Sequence, residues 1–271
     1  MLDRERPTVV HICTPHSEHA WMAIACLDRG INVVSEKPPA ATLAEGQSLV
    51  EAAERSRAKI AVCFQNRYNL PVLAMRAAIE SGDIGEIVAA HATVFWHRTA
   101  QYYRDRPWRG TWIGGGGGLL MNQAIHTLDL LQWLVGDVES VAGSVSTRSL
   151  ADVIEVEDTA EITLNHASGV RSLFYATLAN GVNSPVTIDI VTERATLQLR
   201  GDLTITHANG SVETVAELPA RLGSVRTGGS GTKCSSVTSM TISVTVHHSG
   251  LTHERRLSRC ASSRTSMLSL S

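Results

Sequence analysis

Residues 8–64 alternate short apolar runs with amphipathic helical stretches, and no other feature constrains the fold as strongly. Thr8-Val9-Val10-His11-Ile12-Cys13 reads as a buried strand ended by Thr14-Pro15. Pro15 suits a helix start, because its missing N–H would have no partner there. The helix expected over residues 17–29 puts Ala20, Ile24 and Leu27 on one face and stops at Gly30. Residues 31–35 form a second strand. Thr42-x-x-Glu45 is a capping box opening a helix to about residue 57, and residues 59–64 form a third strand. Strand, helix, strand, helix, strand with short joints requires right-handed crossovers and a parallel sheet.

After Asn69 the pattern changes. A helix near residues 71–80 ends in Ser81-Gly82-Asp83, and strands are expected at 87–96, 138–147, 157–165, 170–178, 186–191, 195–200 and 203–206. Several alternate apolar with polar, and Asn180-Gly181 and Asn209-Gly210 mark tight turns, which implies a largely antiparallel open sheet. One helix, residues 119–135, interrupts it. The fold class is therefore α/β first and α+β second.

A composition of 43% apolar and 18% charged residues is that of a soluble globular protein. A net charge of -2 gives no reason to expect nucleic acid or an anionic membrane as partner. No apolar run approaches the roughly 18 residues of a bilayer span. Five scattered cysteines without C-x-x-C spacing, and a start without an apolar signal core, place the expectation in the cytoplasm.

Ligands bind at the carboxyl ends of parallel strands. Three such ends are available: Thr14-Pro15-His16, Glu36-Lys37-Pro38 and Gln65-Asn66-Arg67. Pro38 also restricts the backbone of Lys37. Asn122, His126 and Asp129 follow i, i+4, i+7 and are expected on one helix face, with Asp129 accepting a ring N–H from His126. Lys37 and His126 then form a proton-transfer pair. The alternatives are a solvated lysine and a core histidine satisfied by a carboxylate. Five consecutive glycines, Gly114 to Gly118, are expected where the chain approaches a ligand closely. His16-x-x-His19 has metal-like spacing without a third ligand, so no metal site is expected. Trp96, Trp108 and Trp112 with Arg104, Arg106 and Arg109 either line a sugar-sized pocket or pack beneath a loop.

Taken together, Cys13-Thr14-Pro15 with His19, the run Gly30-Ile31-Asn32-Val33-Val34-Ser35-Glu36-Lys37-Pro38, and the run from Gly114 through Asn122-Gln123-Ala124-Ile125-His126 to Leu131 resemble the Gfo/Idh/MocA family of NAD(P)-dependent sugar and cyclitol oxidoreductases. The resemblance covers about residues 7–218. It implies a Rossmann domain, then an open-sheet domain whose flat face makes homo-oligomer contacts. It implies NAD or NADP as cofactor and a sugar or cyclitol as substrate. His126 would move the hydroxyl proton and Lys37 would polarise that oxygen. Thr14, Pro15, His19, Glu36, Lys37, Pro38 and Gln65 would line the cofactor; Arg67, Trp112, Asn122 and Asp129 would meet the substrate. Many members carry aspartate where Asn122 stands, so Asn122 orients a hydroxyl at most.

Two departures go with it. No G-x-G-x-x-G precedes Thr8, so residues 1–68 are expected to be a partial Rossmann domain binding NAD(P) weakly or not at all. Residues 69–220 form the substrate and oligomerisation domain. Residues 221–271 turn to Ser, Thr and Arg without any aromatic residue, and are expected to be a non-family tail, disordered or, preferably, the product of a shifted reading frame. The competing readings are a non-catalytic sugar-binding or oligomerising protein and a zinc hydrolase built on His16 and His19.

Overall fold

The computed structural model describes residues 1–217, so the expected non-family tail at 221–271 lies outside the described residues. After a short turn of helix, α1 (Leu2–Glu5), the chain runs β1 (Val9–Ile12), α2 (His16–Leu27), β2 (Asn32–Ser35), α3 (Leu43–Arg55) and β3 (Ile60–Val62). The three strands pair in parallel in the order β1-β2-β3. Pro15 stands at the N-cap of α2. Thr42 and Glu45 form the reciprocal capping box of α3, with the Thr42 hydroxyl accepting from the Glu45 N–H. Ile12, Val33, Ala23, Leu27, Leu49 and Ala52 bury the shared face of sheet and helices.

A 3-10 turn at Gln65–Tyr68 leads into α4 (Leu70–Glu80) and β4 (Ile87–Phe95). Then come α5 (Ala100–Arg104), a 3-10 turn at Pro107–Gly110, α6 (Trp112–Gly115), α7 (Leu119–Asn122) and α8 (Ile125–Val135). Seven strands follow: β5 (Val138–Ser146), β6 (Thr159–His166), β7 (Arg171–Thr177), β8 (Thr187–Thr192), β9 (Ala195–Arg200), β10 (Asp202–His207) and β11 (Val212–Val215). They join β4 in one eight-stranded sheet, ordered β11-β10-β9-β8-β4-β7-β6-β5. Every neighbouring pair is antiparallel except β4 and β7. One face is covered by α4 and α8, which bury Met75, Leu131 and Leu134 against Val94, Phe174 and Ile190. The other face leaves Val141, Val145 and Leu173 more than half exposed.

The expected single helix over 119–135 is instead two helices, α7 and α8, broken at Gln123 and Ala124. The expected strands lie where the alternation put them, and β11 was not anticipated because Val212–Val215 is too short and polar to announce itself.

The glycine run packs closely against the protein's own backbone. Gly116 has φ 71°, and a Cβ there would sit 2.3 Å from the Ala41 carbonyl oxygen. A Cβ on Gly118 would sit 2.0 Å from the Glu157 carbonyl oxygen. Backbone meets backbone on both sides, so this segment is the seam joining the two sheets.

Candidate active site

Lys37 leaves the carboxyl end of β2 at a cis Lys37–Pro38 bond. Its amino group donates a 2.6 Å hydrogen bond to the backbone carbonyl of Asn122, at the break between α7 and α8. Helix ends leave carbonyls without intrahelical partners, and a cation is favoured there. Burial pushes the Lys37 ammonium down to about 8; Glu36 pulls it back up, and Arg109 adds to the depression.

His126 sits in the first turn of α8. Phe64, just past β3, meets its ring edge-on at 6.1 Å between centroids. Burial lowers its pKa to about 4, helped by the charge of Lys37, so the imidazole is neutral at physiological pH. Its Nδ1 is buried without a hydrogen-bond partner, as is the Nδ2 of Asn122. Two orphaned polar atoms near the Lys37 ammonium are the polar half of an incomplete hydrogen-bonded set.

Asp129 does not orient His126. Its carboxylate accepts from Arg67 Nε at 2.7 Å and Nη2 at 2.5 Å, a bidentate pair between the 3-10 turn and α8. The break at Gln123 and Ala124 separates Asn122 from the helix that carries His126 and Asp129, and Arg67, stacked at 5.3 Å on Trp133, captures the carboxylate. Arg67 and Asp129 thus neutralise each other. Trp112 is 56% exposed and caps a surface turn through its N–H to Glu155.

On the cofactor side, His19 is buried with Nδ1 2.7 Å from the Pro38 carbonyl and Nε2 2.9 Å from the Thr14 carbonyl. It ties two strand ends together and positions Thr14 and Pro38. The Thr14 hydroxyl rests on the Met22 sulfur, Pro15 caps α2, Glu36 is half-buried, and Gln65 is exposed. His16 donates from Nδ1 to the Gly115 carbonyl and packs edge-on against Trp108. Among the described residues, the potential metal ligands that converge are His11, Glu36 and Cys63. Burial, foremost, pushes the Cys63 thiol up to about 11.

Sequence reasoning missed Glu157 and gave Arg109 only as one of several pocket or packing residues. Buried Glu157 accepts from the N–H groups of Gly118 and Leu120 and fixes the start of α7. Arg109 stacks on Tyr102 and influences Lys37. Glu157 lies 39 and 37 residues from the two N–H groups it binds, and no local pattern marks it.

A model described as "Oxidoreductase family, NAD-binding Rossmann fold" matches residues 1–64, and one described as "GFO/IDH/MocA C-terminal domain" matches residues 72–198. The chain belongs to the Gfo/Idh/MocA oxidoreductase family. It is 32% identical over 139 residues to a levoglucosan dehydrogenase of Pseudarthrobacter phenanthrenivorans, covering 51% of this chain and 36% of that protein. It is 27% identical over 212 residues to a D-apiose dehydrogenase of Rhizobium rhizogenes, covering 74% and 58%. Among solved structures it is similar to the WlbA dehydrogenase of Bordetella pertussis in complex with NADH and UDP-GlcNAcA, with a TM-score of 0.69, 36% identity and coverage of 73% and 60%. The chain therefore spans between about a third and three-fifths of the length of these relatives. No helix among the described residues is long and apolar enough to cross a membrane.

Proposed function

We propose that this chain takes part in hydride transfer between NAD(P) and a hydroxyl of a sugar or cyclitol, with residues 1–68 serving the cofactor and residues 69–220 the substrate. The observation that carries this reading is the Lys37 ammonium docked on the Asn122 carbonyl beside the orphaned Nδ1 of His126. A neutral imidazole accepts a proton at the pH where Lys37 still carries part of its charge. His126 accordingly takes the proton of the hydroxyl being oxidised, while Lys37 donates a hydrogen bond to the same oxygen as alkoxide character develops. Asn122 Nδ2 orients a neighbouring hydroxyl. The residues fit the nicotinamide end of the cofactor: Thr14, Pro15, Glu36 and Pro38 lie at adjacent strand ends around Lys37, and His19 ties the Thr14 and Pro38 carbonyls together. When bound, the cofactor would supply the hydride acceptor. The relatives' dehydrogenase names support this class of reaction.

The test is NAD(P)-dependent oxidation of a panel of hexoses, pentoses and inositols, comparing the unaltered chain with Lys37→Ala and His126→Ala. Turnover lower by about 100-fold or more in both variants, with unchanged circular dichroism, supports the roles. Turnover unaffected by either substitution removes them.

A second reading, a non-catalytic sugar-binding or oligomerising protein, rests on the uncovered sheet face. Leu173 is 60% exposed there and borders a shallow depression of about 520 Å³ with Ile162 and Tyr175. Under either reading this face is proposed as the homo-oligomer contact. Sedimentation of Leu173→Glu as a smaller species than the unaltered chain supports it, and identical sedimentation opposes it.

A further inference from the structure

The strand order β1-β2-β3 advances in one direction, so two right-handed crossovers place α2 and α3 on the same face of the parallel sheet. Val10, Ile12, Val33 and Ile60 turn to that face and pack with Ala23, Leu27 and Leu49. Successive strand residues point to opposite faces. His11, Val34 and Ala61, which stand in register, therefore turn away from the helices. On that side Val9 is 43% exposed and His11 is exposed as well.

The strand ladder continues one step past β2 and β3. The Glu36 N–H donates to the Ile12 carbonyl and the Cys63 N–H to the Ser35 carbonyl, each at 2.9 Å. Glu36 follows Val34 by two positions and Cys63 follows Ala61 by two, so both side chains return to the face of His11. Three neighbouring strands thus deliver an imidazole, a carboxylate and a thiol to one place. One ligand atom from each, a ring nitrogen, a carboxylate oxygen and the sulfur, lies within 4.8 Å of the other two.

None of these three side chains is held by a hydrogen bond or an ion pair among the described residues. Their donor atoms are free to turn toward a common centre. Tetrahedral zinc, with bonds of about 2.0–2.3 Å, sets its ligand atoms roughly 3.3–3.8 Å apart. Closing from 4.8 Å to that spacing takes small side-chain rotations, which the exposed ring of His11 can make without moving the sheet.

We propose that His11, Glu36 and Cys63 form a binding site for a borderline-soft divalent metal ion of the zinc class. A thiolate and an imidazole select zinc or cobalt over magnesium and calcium, which take oxygen ligands. Three protein ligands leave a fourth position open to water. The sulfur binds as thiolate, and its proton passes to solvent as the metal enters. Glu36 is shared with the cofactor end proposed above, but the site is separate from the pair Lys37 and His126, and its test needs neither cofactor nor sugar.

The experiment is titration of the full chain, kept reduced with a phosphine, with cobalt(II) as a spectroscopic stand-in for zinc. One equivalent should produce a thiolate-to-cobalt charge-transfer band in the near ultraviolet and the strong visible bands of four-coordinate cobalt. Zinc should displace both, and an excess of magnesium should displace neither. Cys63→Ser should abolish the charge-transfer band. His11→Gln and Glu36→Gln should each weaken zinc binding by about tenfold or more, since even the partners behind metal ligands are worth that much. Circular dichroism checks the three folds, and His11→Gln, at an exposed position, carries the test if either other variant fails to fold. Absence of the charge-transfer band, a band that survives Cys63→Ser, or zinc affinity unchanged in a folded His11→Gln or Glu36→Gln variant overturns the site. The dehydrogenase reading stands untouched by any of these results.

Discussion

The amino group of Lys37 and the backbone carbonyl of Asn122 stand 2.6 Å apart although 85 residues separate them in the chain. This bond clamps the end of a parallel strand onto a helix break in the second sheet's covering layer. The lysine is thus placed by the strand end behind it and the carbonyl in front. A group so held needs little reorganisation before it can polarise a substrate oxygen.

Lys37→Met tests this clamp. The methionine fills similar volume without a donor, so the Asn122 carbonyl loses its partner and the variant should be modestly destabilised, by about 1 kcal/mol. Turnover should fall by about 100-fold or more, because the hydrogen bond to the developing alkoxide is gone. Urea denaturation and steady-state rates separate the two effects. A large stability loss with normal turnover in the remaining folded protein would mean the lysine is structural.

Acid stability follows from the two depressed histidines. Burial holds His126 and His16 at about 4, below the ordinary value of 6.5. Between these values the unfolded chain binds more protons than the folded one, so stability falls as pH drops from about 6.5 to about 4. His126→Gln and His16→Gln should each flatten part of that slope in denaturant midpoints measured across the window. An unchanged slope in both would place the acid sensitivity elsewhere.

The Arg67–Asp129 pair should behave as structure. Asp129 is 12% exposed, so Arg67→Ala strands a mostly buried carboxylate and should cost about 2 kcal/mol or more, with a smaller loss for the double substitution Arg67→Ala and Asp129→Ala. Because Asp129 does not touch the imidazole, Asp129→Asn should leave the His126 titration, followed by NMR, nearly in place. A marked shift would restore the carboxylate–imidazole pairing that the sequence suggested.

The parallel half of the fold was legible because its signals are local: β-branched runs, Pro15 at a helix start and the Thr42–Glu45 box each act within one turn. The strand alternation of the second sheet was equally plain. Lys37 and His126 were picked out by local chemistry, and the structure brings their elements together. What stayed hidden depends on distance in sequence. The periodicity of residues 119–135 contains no breaker, so the interruption at Gln123 and Ala124 is imposed from outside, where the Glu157 carboxylate pins α7 through the Gly118 and Leu120 N–H groups. The pairing of Asp129 with Arg67 instead of His126 depends on a residue 62 positions away, and helical spacing could not contain it.

The glycine run offers a final contrast between two alanine substitutions. Gly118 has an ordinary negative φ of -98°, so backbone freedom is not what fixes it. Its requirement is space: a Cβ would overlap the Glu157 carbonyl oxygen at 2.0 Å, and that carbonyl also accepts the Leu119 N–H. Gly118→Ala must displace backbone at the start of α7 and should destabilise by about 2 kcal/mol or more, with loss of turnover because Asn122 shifts with the helix. Gly46, inside α3, has Ala40 Cβ at 3.8 Å as its nearest contact, an ordinary van der Waals distance. Gly46→Ala should therefore stabilise by about 0.5–1 kcal/mol through helix propensity and leave turnover alone. Urea midpoints moving in opposite directions for the two variants are the expected result. If Gly118→Ala is neutral, the seam is loose enough to breathe, and the placement of Asn122 against Lys37 does not depend on it.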